Sequence, residues 1–320
     1  MNKKSTIWLI IGLSLILLGF IIFVVAMTAN GWNFGNLTTS EFETNTHEIT
    51  EDFSDIEFDV DTADIVFSPS ENGECKIVCY ENVKMKHSVT VQDGKLTVES
   101  VDEREWYEHI GINFTKDKIT VYLPKTAYGS LDIEGDTSDV EIAQNFHFES
   151  MEISLSTGNV KNFASVTNAL EITTSTGNIE VNNASASKLT LSVSTGAVSV
   201  SNVAIVGDIS VNVSTGRAEL DTVSCTKLTS SGDTGDIVLK NVVALQSFSI
   251  ERTTGTVTFD KSDAVNIFVK TSTGRVTGTL LSEKVFVANA STGYVDVPKD
   301  GIGGRCGITT STGDIRISIG

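Results

Sequence analysis

Apolar residues recur at alternate positions over most of this chain, in short runs separated by turn residues. The runs form a repeat of 19 or 20 residues, with apolar residues seven and five positions before a Ser-Thr-Gly corner and two positions after it. Leu189, Leu191 and Val198 stand at these places around Gly196. Alternation with a period of two is typical of strands with one buried face. A single repeat cannot bury that face alone, so the pattern predicts that successive units stack on one another.

Glycine closes the corner in nine copies of the repeat, at Gly158, Gly177, Gly196, Gly216, Gly235, Gly255, Gly274, Gly293 and Gly313. A tenth copy has Ser138 in the glycine position, and Thr stands immediately before the corner residue in all ten. Glycine adopts positive φ without steric cost, which suits a tight corner. The pattern therefore predicts an all-β fold, a single-stranded β-helix or β-solenoid of about ten coils over residues 131–320.

Residues 41–130 share this phase only in part. A copy of the pattern surrounds Ala63, between Ile56 and Phe67, but it is followed by alternating apolar and polar segments that do not continue the repeat. We expect this region to form a β-rich N-terminal cap on the rod, since caps prevent edge-to-edge association of sheets. The sequence stops at Gly320, seven residues after the last corner glycine. The final coil is therefore expected to be the uncapped end of the rod.

A long apolar segment precedes the β-rich part of the chain. Residues 7–29 contain no charged residue and are long enough for a transmembrane helix, which needs about 20 apolar residues. A pair of lysines precedes the segment, and the next Lys or Arg is Lys76. The positive-inside rule then predicts a single-pass protein of the cell membrane, with residues 1–6 as a cytoplasmic tail, residues 30–40 as a linker and residues 30–320 extracellular.

A cleaved signal peptide is the alternative interpretation of this segment. Such a peptide has a shorter apolar core, of about 7–15 residues, and a small-x-small cleavage site. The segment here is longer, and Met27-Thr28-Ala29 matches such a site poorly. These features favour an uncleaved signal anchor.

The net charge of −18 is concentrated beside the membrane segment. Residues 41–149 hold 26 acidic and 8 basic residues, whereas residues 150–320 hold 15 acidic and 13 basic residues. Nucleic acid is excluded as a partner on this ground, because its recognition needs a basic face that neutralises phosphates.

One acidic strand could be a cation site. Asp55, Glu57, Asp59 and Asp61 alternate with apolar residues, so their side chains share a solvent face. Alternate carboxylates stand about 7 Å apart along a strand, whereas calcium ligands must converge on one point. A solvated face is therefore the favoured interpretation, and no metal site is predicted.

Aromatic residues in a charged segment offer the best single candidate for a contact patch. Trp106 and Tyr107 lie among five charged residues in the run 102–109. Exposed aromatic side chains often anchor partners. The alternative is a loop whose aromatic rings pack back on the cap.

The four cysteines do not form a disulfide framework. Cys75 and Cys79 are four residues apart on one predicted strand, which separates their Cα atoms by about 13 Å, too far for a disulfide. Cys306 occupies a core column of the repeat. Cys75, Cys79, Cys225 and Cys306 are therefore expected to be buried free thiols.

Catalysis is not expected. The four histidines, at positions 47, 87, 109 and 147, all precede the Gly158–Gly313 array, so that array cannot hold a Ser–His pair. The sequence shows no nucleophile elbow, no zinc-ligand spacing and no phosphate-binding loop. An enzyme needs convergent titratable groups, and none are indicated; no cofactor is predicted.

The stretch Lys118-Ile-Thr-Val-Tyr-Leu-Pro124, followed by Leu131-Asp-Ile133 and the repeated Ser-Thr-Gly-(Asn/Asp)-(Ile/Val) corners, resembles the β-strand-repeat "putative adhesin" domain of unknown function. The resemblance covers about residues 40–320. It implies a right-handed β-helix behind one membrane helix, in the envelope of Gram-positive bacteria. It implies no catalytic residues.

Three hypotheses of function follow. The first is a membrane-anchored extracellular scaffold, adhesion or binding module, whose rod contacts a cell-wall polymer or another envelope protein. The second is a regulatory membrane protein that senses envelope stress and signals through a membrane partner. The third is a surface-fibre component that self-associates end to end through the uncapped final coil.

Overall fold

The structure, a computed structural model, describes residues 3–29, 31–32, 41–106, 115–124 and 127–320, with backbone alone for residues 3–6. Helix α1 spans Lys3–Ala29. Its part Ile7–Ala29 has a mean hydropathy of 3.1 and is long and apolar enough to cross a membrane. A signal sequence near the N-terminus can also be this long and apolar.

Twenty-six strands make up the rest of the described structure. The first seven are β1 (Phe42–Ile49), β2 (Asp55–Val60), β3 (Asp64–Pro69), β4 (Cys75–Asn82), β5 (Met85–Gln92), β6 (Lys95–Asp102) and β7 (Lys118–Leu123). Strand β4 pairs antiparallel with β1, β5 and β7, and β5 pairs antiparallel with β6. These antiparallel pairs distinguish the N-terminal region from the rest of the rod.

All later strands pair in parallel with their counterparts in neighbouring coils. They are β8 (Ala127–Thr137), β9 (Val140–Ile142), β10 (His147–Thr157), β11 (Val160–Asn162), β12 (Ser165–Val166), β13 (Ala169–Thr176), β14 (Ile179–Asn182), β15 (Ser185–Ala186), β16 (Lys188–Thr195), β17 (Val198–Ile205), β18 (Asp208–Thr215), β19 (Ala218–Thr234), β20 (Ile237–Thr254), β21 (Val257–Thr273), β22 (Val276–Leu280), β23 (Val285–Thr292), β24 (Val295–Asp296), β25 (Arg305–Thr312) and β26 (Ile315–Ile319). The predicted all-β solenoid is confirmed.

The predicted apolar columns match the register of the parallel strands, because residues of the same column pair with one another in neighbouring coils. Leu189 pairs with Leu170 in the preceding coil and with Ile209 in the following coil. The earlier copy of the pattern fits the same ladder, since Ile56 of β2 pairs with Leu131 of β8. The inward residues of these columns form one continuous core along the rod. Side chains two apart point the same way in a strand, so a shift of one residue would turn each column outward.

The corner glycines are required by contact between the backbones of neighbouring coils. Gly216 has φ of +141°, and a Cβ atom on it would lie 1.7 Å from the carbonyl oxygen of Gly196. The Gly216 N–H donates to the carbonyl of Thr234 in the following coil, at 2.8 Å. A side chain at this corner would therefore separate two coils as well as strain the backbone.

A second corner lies six positions after the glycine and is not indicated by the apolar columns. Five successive coils place a non-glycine residue with positive φ there, at Asn183, Asn202, Thr222, Asn241 and Lys261. Asparagine tolerates the left-handed region better than most residues. The third side of each coil begins after this corner, as in Val203 and Ile205 of β17, which are both buried.

Asn and Asp side chains after the corner link one coil to the next. Asp139 Oδ1 accepts a hydrogen bond from the Asn159 backbone N–H at 2.7 Å, and Asn159 Oδ1 accepts from the Asn178 N–H at 3.0 Å. Asn178 Oδ1 accepts in turn from the Ala197 N–H at 2.9 Å. These bonds satisfy backbone donors where the ladder turns the corner, which gives the column a structural role.

The expectation that the final coil forms the open end of the rod is wrong. Strand β25 pairs with β21 through Ile267 and Cys306, and on its other side with β23 through Phe286 and Cys306. The chain therefore skips one layer after β22, builds β23 and β24 as the terminal layer, and returns to fill the gap with β25 and β26. The open edge belongs to β23.

The N-terminal end has the same kind of inversion. Strand β2 lies between β6 and β8, and β3 lies between β7 and β9. Residues 41–130 thus contribute two layers of the solenoid as well as the antiparallel strands β1, β4 and β5. The four cysteines are free and buried, as predicted, with Cys75 and Cys79 on β4.

Engineered cysteine pairs should reveal the stacking order. Lys270 and Asn289 each pair with Thr309, on opposite sides of it. Neighbouring strands lie about 4.8 Å apart, within disulfide range, whereas strands two layers apart do not. We expect Lys270→Cys with Thr309→Cys, and Asn289→Cys with Thr309→Cys, to form crosslinks on mild oxidation, detected by non-reducing electrophoresis and peptide mapping. A crosslink between Lys270→Cys and Asn289→Cys instead would mean that the coils stack in chain order.

Replacement of a corner glycine should destabilise the rod strongly. Gly216→Ala adds backbone strain and overpacking, each costing about 1–3 kcal/mol. We expect the free energy of unfolding to fall by about 3 kcal/mol or more in urea titrations followed by circular dichroism. Gly94→Ala is the matched control, because Gly94 also has positive φ, +78°, but faces open space. The control should cost only about 1–2 kcal/mol; equal losses would show that coil contact is not what requires glycine.

Candidate functional site

The predicted acidic strand is β2, and two of its acids bind neighbouring strands. Asp55 Oδ1 accepts hydrogen bonds from the backbone N–H and the hydroxyl of Ser130, at 2.7 and 2.9 Å. These bonds lower the pKa of Asp55. Glu57 forms an ion pair with Lys95 of β6 at 2.5 Å. Both acids therefore connect layers of the rod.

Asp59 of β2 and Asp61, which directly follows β2, lie beside two acids of the following layer. Asp59 and Asp61, with Glu134 and Asp136, line a polar cleft of about 390 Å³. Their ligand atoms do not converge: within the described residues, the one set of three or more candidate metal ligands within 4.8 Å of one another lies elsewhere. A partner for this cleft stays a prediction.

Of the predicted aromatic patch, the structure describes one residue. Trp106 lies two residues after Arg104, which forms an ion pair with Asp102, and 75% of the Trp106 surface is exposed. Tyr107 lies outside the described residues. The contact role of this pair stays a prediction.

An apolar groove lies on the third side of the rod near its C-terminal end. It has a volume of about 640 Å³, and its walls include Val243, Leu245, Val265 and Ile302. Leu245 and Ile302 are 71% and 73% exposed. We call these four residues the distal apolar patch. Isolated exposed apolar residues are common, whereas a contiguous exposed group of this kind is a candidate interaction surface.

A buried ion pair underlies the groove. Lys284 Nζ lies 2.7 Å from Asp263 Oδ1, and both side chains are buried. The Ser282 hydroxyl donates to Asp263 Oδ2, and the Ala264 N–H donates to Asp263 Oδ1. Lys284 and Asp263 therefore neutralise each other beneath the groove, and their remaining hydrogen-bonding capacity is used within the protein. The groove therefore offers apolar contact more than charge.

A buried polar cluster lies in the N-terminal region, where β4, β5 and the start of β7 meet. Cys79, Glu81 and His87 each offer one ligand atom within 4.8 Å of the other two. Glu81 Oε2 accepts hydrogen bonds from the His87 backbone N–H and lies 2.7 Å from His87 Nδ1. Asn45 of β1 donates to the other Glu81 oxygen, at 2.7 Å. The second ring nitrogen of His87, Nε2, is buried with no hydrogen-bond partner.

Asp117 completes the polar surroundings of this cluster. It stands one position before the Lys118–Tyr80 pair of β7 and β4, which places it opposite Glu81. Burial raises the pKa of the Asp117 carboxyl to about 6, and nearby Glu81 adds to the shift, while His87 opposes it. Burial likewise raises the pKa of the Cys79 thiol to about 12, with Glu81 and Asp117 contributing.

The sequence carries a signal for this cluster that apolar patterning does not use. Cys79 and Glu81 are two apart on β4, so both point inward; His87 points inward from β5, which follows across a short turn. A charged residue at an inward position of a strand needs a partner. The hairpin supplies one for Glu81, in His87.

Comparisons with known proteins agree with the fold. The family described as Toastrack DUF4097 matches residues 53–207 and 205–320. Among curated proteins, no match was found. A structure described as a "putative adhesin" from Parabacteroides merdae has 14% identity and a TM-score of 0.51, over 77% of this chain and 98% of that chain.

Two further solved structures superpose less closely. A "putative lipid binding protein" from Parabacteroides distasonis has 18% identity and a TM-score of 0.48, over 74% of this chain and 94% of that one. A "putative adhesin" from Bacteroides fragilis has 15% identity and a TM-score of 0.44, over 88% and 99%. At such identities the likeness extends to the fold alone. The expected origin in Gram-positive bacteria stays a prediction.

Proposed function

Because this chain belongs to the Toastrack DUF4097 family, we propose that it is a non-catalytic binding module of the cell envelope. Helix α1 would hold it in the membrane, with residues 30–320 outside the cell. The adhesin-like descriptions of its structural neighbours fit a binding role. The observation that carries the proposal is the distal apolar patch at the C-terminal end of a regular rod.

The exposed apolar side chains are unevenly distributed along the rod. Between residues 127 and 320, one large apolar residue that is more than one-third exposed, Val206, lies before residue 243, and the other such residues lie between 243 and 302. The acidic excess lies at the opposite end, in residues 41–149. The rod therefore has an acidic proximal end and an apolar distal end.

This distribution favours a protein partner over a wall polymer. Residues 150–320 hold 15 acidic and 13 basic residues, so the distal half of the chain has no basic surplus that would attract an anionic polymer. Burial of a partner's apolar side chains against the apolar walls of the groove stabilises the complex by roughly 25 cal/mol per Å² of apolar surface removed from water. We therefore assign the distal apolar patch to another envelope protein that presents apolar side chains.

Substitution of the patch should weaken partner binding without destabilising the rod. Leu245→Asp removes apolar burial worth about 1.5–3 kcal/mol, so we expect retention of the purified chain on isolated envelopes to fall at least about tenfold. Retention by wild type should persist in high salt, because apolar contacts are not screened. The measurement is co-sedimentation across a salt series.

Val206→Asp is the matched control, since Val206 is 80% exposed and lies outside the patch. The control should bind like wild type. Equal retention of both variants, or loss of all binding in salt, would contradict an apolar contact. A photo-crosslinker at residue 245 that gives no adduct in cells, while one within α1 does, would favour the stress-regulatory alternative.

Self-association is a second candidate function, because the edge of β23 is unprotected. Strand β23 pairs with β25 on one side, and in the described structure no strand pairs with its other side. Residues 285–295 contain no charged residue and no proline. Natural edge strands usually carry charge or proline, which blocks pairing with another chain. Val285 and Val287 of this edge strand are about half exposed. A second copy could pair its own β23 here.

A charge on this edge should block such pairing. We expect wild type to form dimers at high concentration in analytical ultracentrifugation, and Val287→Lys to stay monomeric, because an edge lysine opposes strand addition. Val206→Lys, which adds the same charge away from the edge, should dimerise like wild type. A wild-type chain that is monomeric at every concentration would rule out self-association.

A further inference from the structure

We propose that two copies of this chain pair end to end, with strand β23 of one copy antiparallel to β23 of the other, in a contact that closes at two copies. This inference rests on the self-association proposed above and specifies its symmetry and its pairing of residues. The contact joins the terminal layer of one rod, formed by β23 and β24, to the same layer of the second copy. The N-terminal regions of the two copies would then lie at the far ends of the pair.

The terminal layer leaves part of the core uncovered. Phe286, Ala288 and Ala290 point inward from β23 and pack against the core, but each is only partly buried. In the neighbouring strand β25, Ile308 pairs with Ala288 and is fully buried. The difference arises because no further coil covers β23 in the described structure. A strand added to β23 would therefore remove apolar surface from water as well as pair the edge.

The free backbone groups of β23 fix which residues can pair. Val285 donates its N–H to the Gly304 carbonyl on the β25 side, at 2.9 Å. Backbone groups alternate in direction along a strand, so Phe286, Ala288 and Ala290 direct theirs to the open side. An antiparallel copy centred on Ala288 uses all of these groups, because Phe286 then pairs with Ala290 of the second copy and Ala288 pairs with itself. Inward residues meet inward residues in this register, so the core continues across the contact.

The charge distribution favours a second copy as the occupant of this edge. Residues 285–295 contain no charged residue, whereas residues 41–149 hold 26 acidic and 8 basic residues. Pairing through β23 keeps these two acidic regions at the far ends of the pair, separated by the glycine-cornered coils of both rods. Each coil is about 4.8 Å thick, and exposed charges act over only about 10 Å at 0.1 M salt. Two acidic chains can therefore meet here with little repulsion.

The opposite end of the rod cannot continue the assembly. There the outer edges of β6 and β7 are already paired with the antiparallel strands β5 and β4, so the described structure leaves no coil edge free at that end. A contact between two identical ends uses the same surface on both copies and is isologous. The assembly therefore stops at a pair and does not grow into a fibre. Such a pair would connect two anchored copies that point in opposite directions.

A disulfide across the two-fold axis of the pair provides the test. Hydrogen-bonded residues of antiparallel strands have Cα atoms about 5.5 Å apart, within disulfide range. With the full chain in detergent under mild oxidation, we expect Ala288→Cys to give at least about tenfold more crosslinked dimer than Val206→Cys, because pairing raises the effective concentration of the thiols. Val206→Cys is the matched control for random collision, since Val206 is 80% exposed and lies away from the edge. The native thiols are all buried.

A mixture of Val287→Cys and Asn289→Cys tests the register and decides the matter if Ala288→Cys does not fold. These outward residues lie opposite each other only between copies centred on Ala288, so the mixture should crosslink and neither variant alone should. Analytical ultracentrifugation gives the size of the assembly. A wild-type chain that is monomeric at every concentration would contradict self-association as a whole. Dimers without these crosslinks, or species larger than dimers, would overturn the end-to-end pair and leave self-association standing.

Discussion

The close approach of backbones at the glycine corner is the constraint on which the rest of the rod depends. From Gly158 onward, a Cβ atom on a corner glycine would lie only 1.7–2.1 Å from a carbonyl oxygen of the adjacent coil. No side chain fits in that space, so the corner must return to glycine at every coil. The apolar columns follow from this, because a strand that starts at a fixed corner has a fixed register.

The same constraint explains where glycine is dispensable. The close contact restricts only one of the two residues that make it. A Cβ on Gly158 would meet the backbone carbonyl of Ser138, whereas Ser138 contributes only its carbonyl to this contact and can carry a side chain. Ser138 is not among the residues with positive φ. The Ser138 and Ala63 corners therefore take ordinary backbone angles, and the strict glycine requirement begins one coil later.

The inverted order at the C-terminal end of the rod places the last strand between two other strands. Ile315 of β26 pairs with Val276 on one side and with Val295 on the other. Chain termini are usually the first part of a domain to fray. Here the last strand cannot leave without breaking two ladders. The exposed edge is instead a continuous part of the chain, held at both its ends.

The coil of 19 or 20 residues and its core columns could be predicted from the sequence, because both depend on a local pattern that repeats along the chain. It could not predict the order of the last two coils. Gly293 and Gly313 have identical local corners, and either could stack on Gly274. The discriminating features are weak: Ala288 is small where other coils mostly place a larger apolar residue, and residues 297–304 include a proline and three glycines. Such a segment can cross a layer, but it could equally be an ordinary return loop.

Buried polar residues were harder to predict than apolar ones, because their partners come from other coils. Arg252 is an example: its guanidinium is buried against Ser230, at 2.8 Å, and over Gly232. Only the pairing of β19 with β20 brings these residues together. The cluster of Cys79, Glu81 and His87 was missed for a different reason: Cys79 alone is a small apolar residue, and a single histidine such as His87 forms no recognisable ligand spacing. The inward position of Glu81 on β4 is the most direct indication of the cluster, because a buried carboxylate needs a partner, which His87 provides across the short turn.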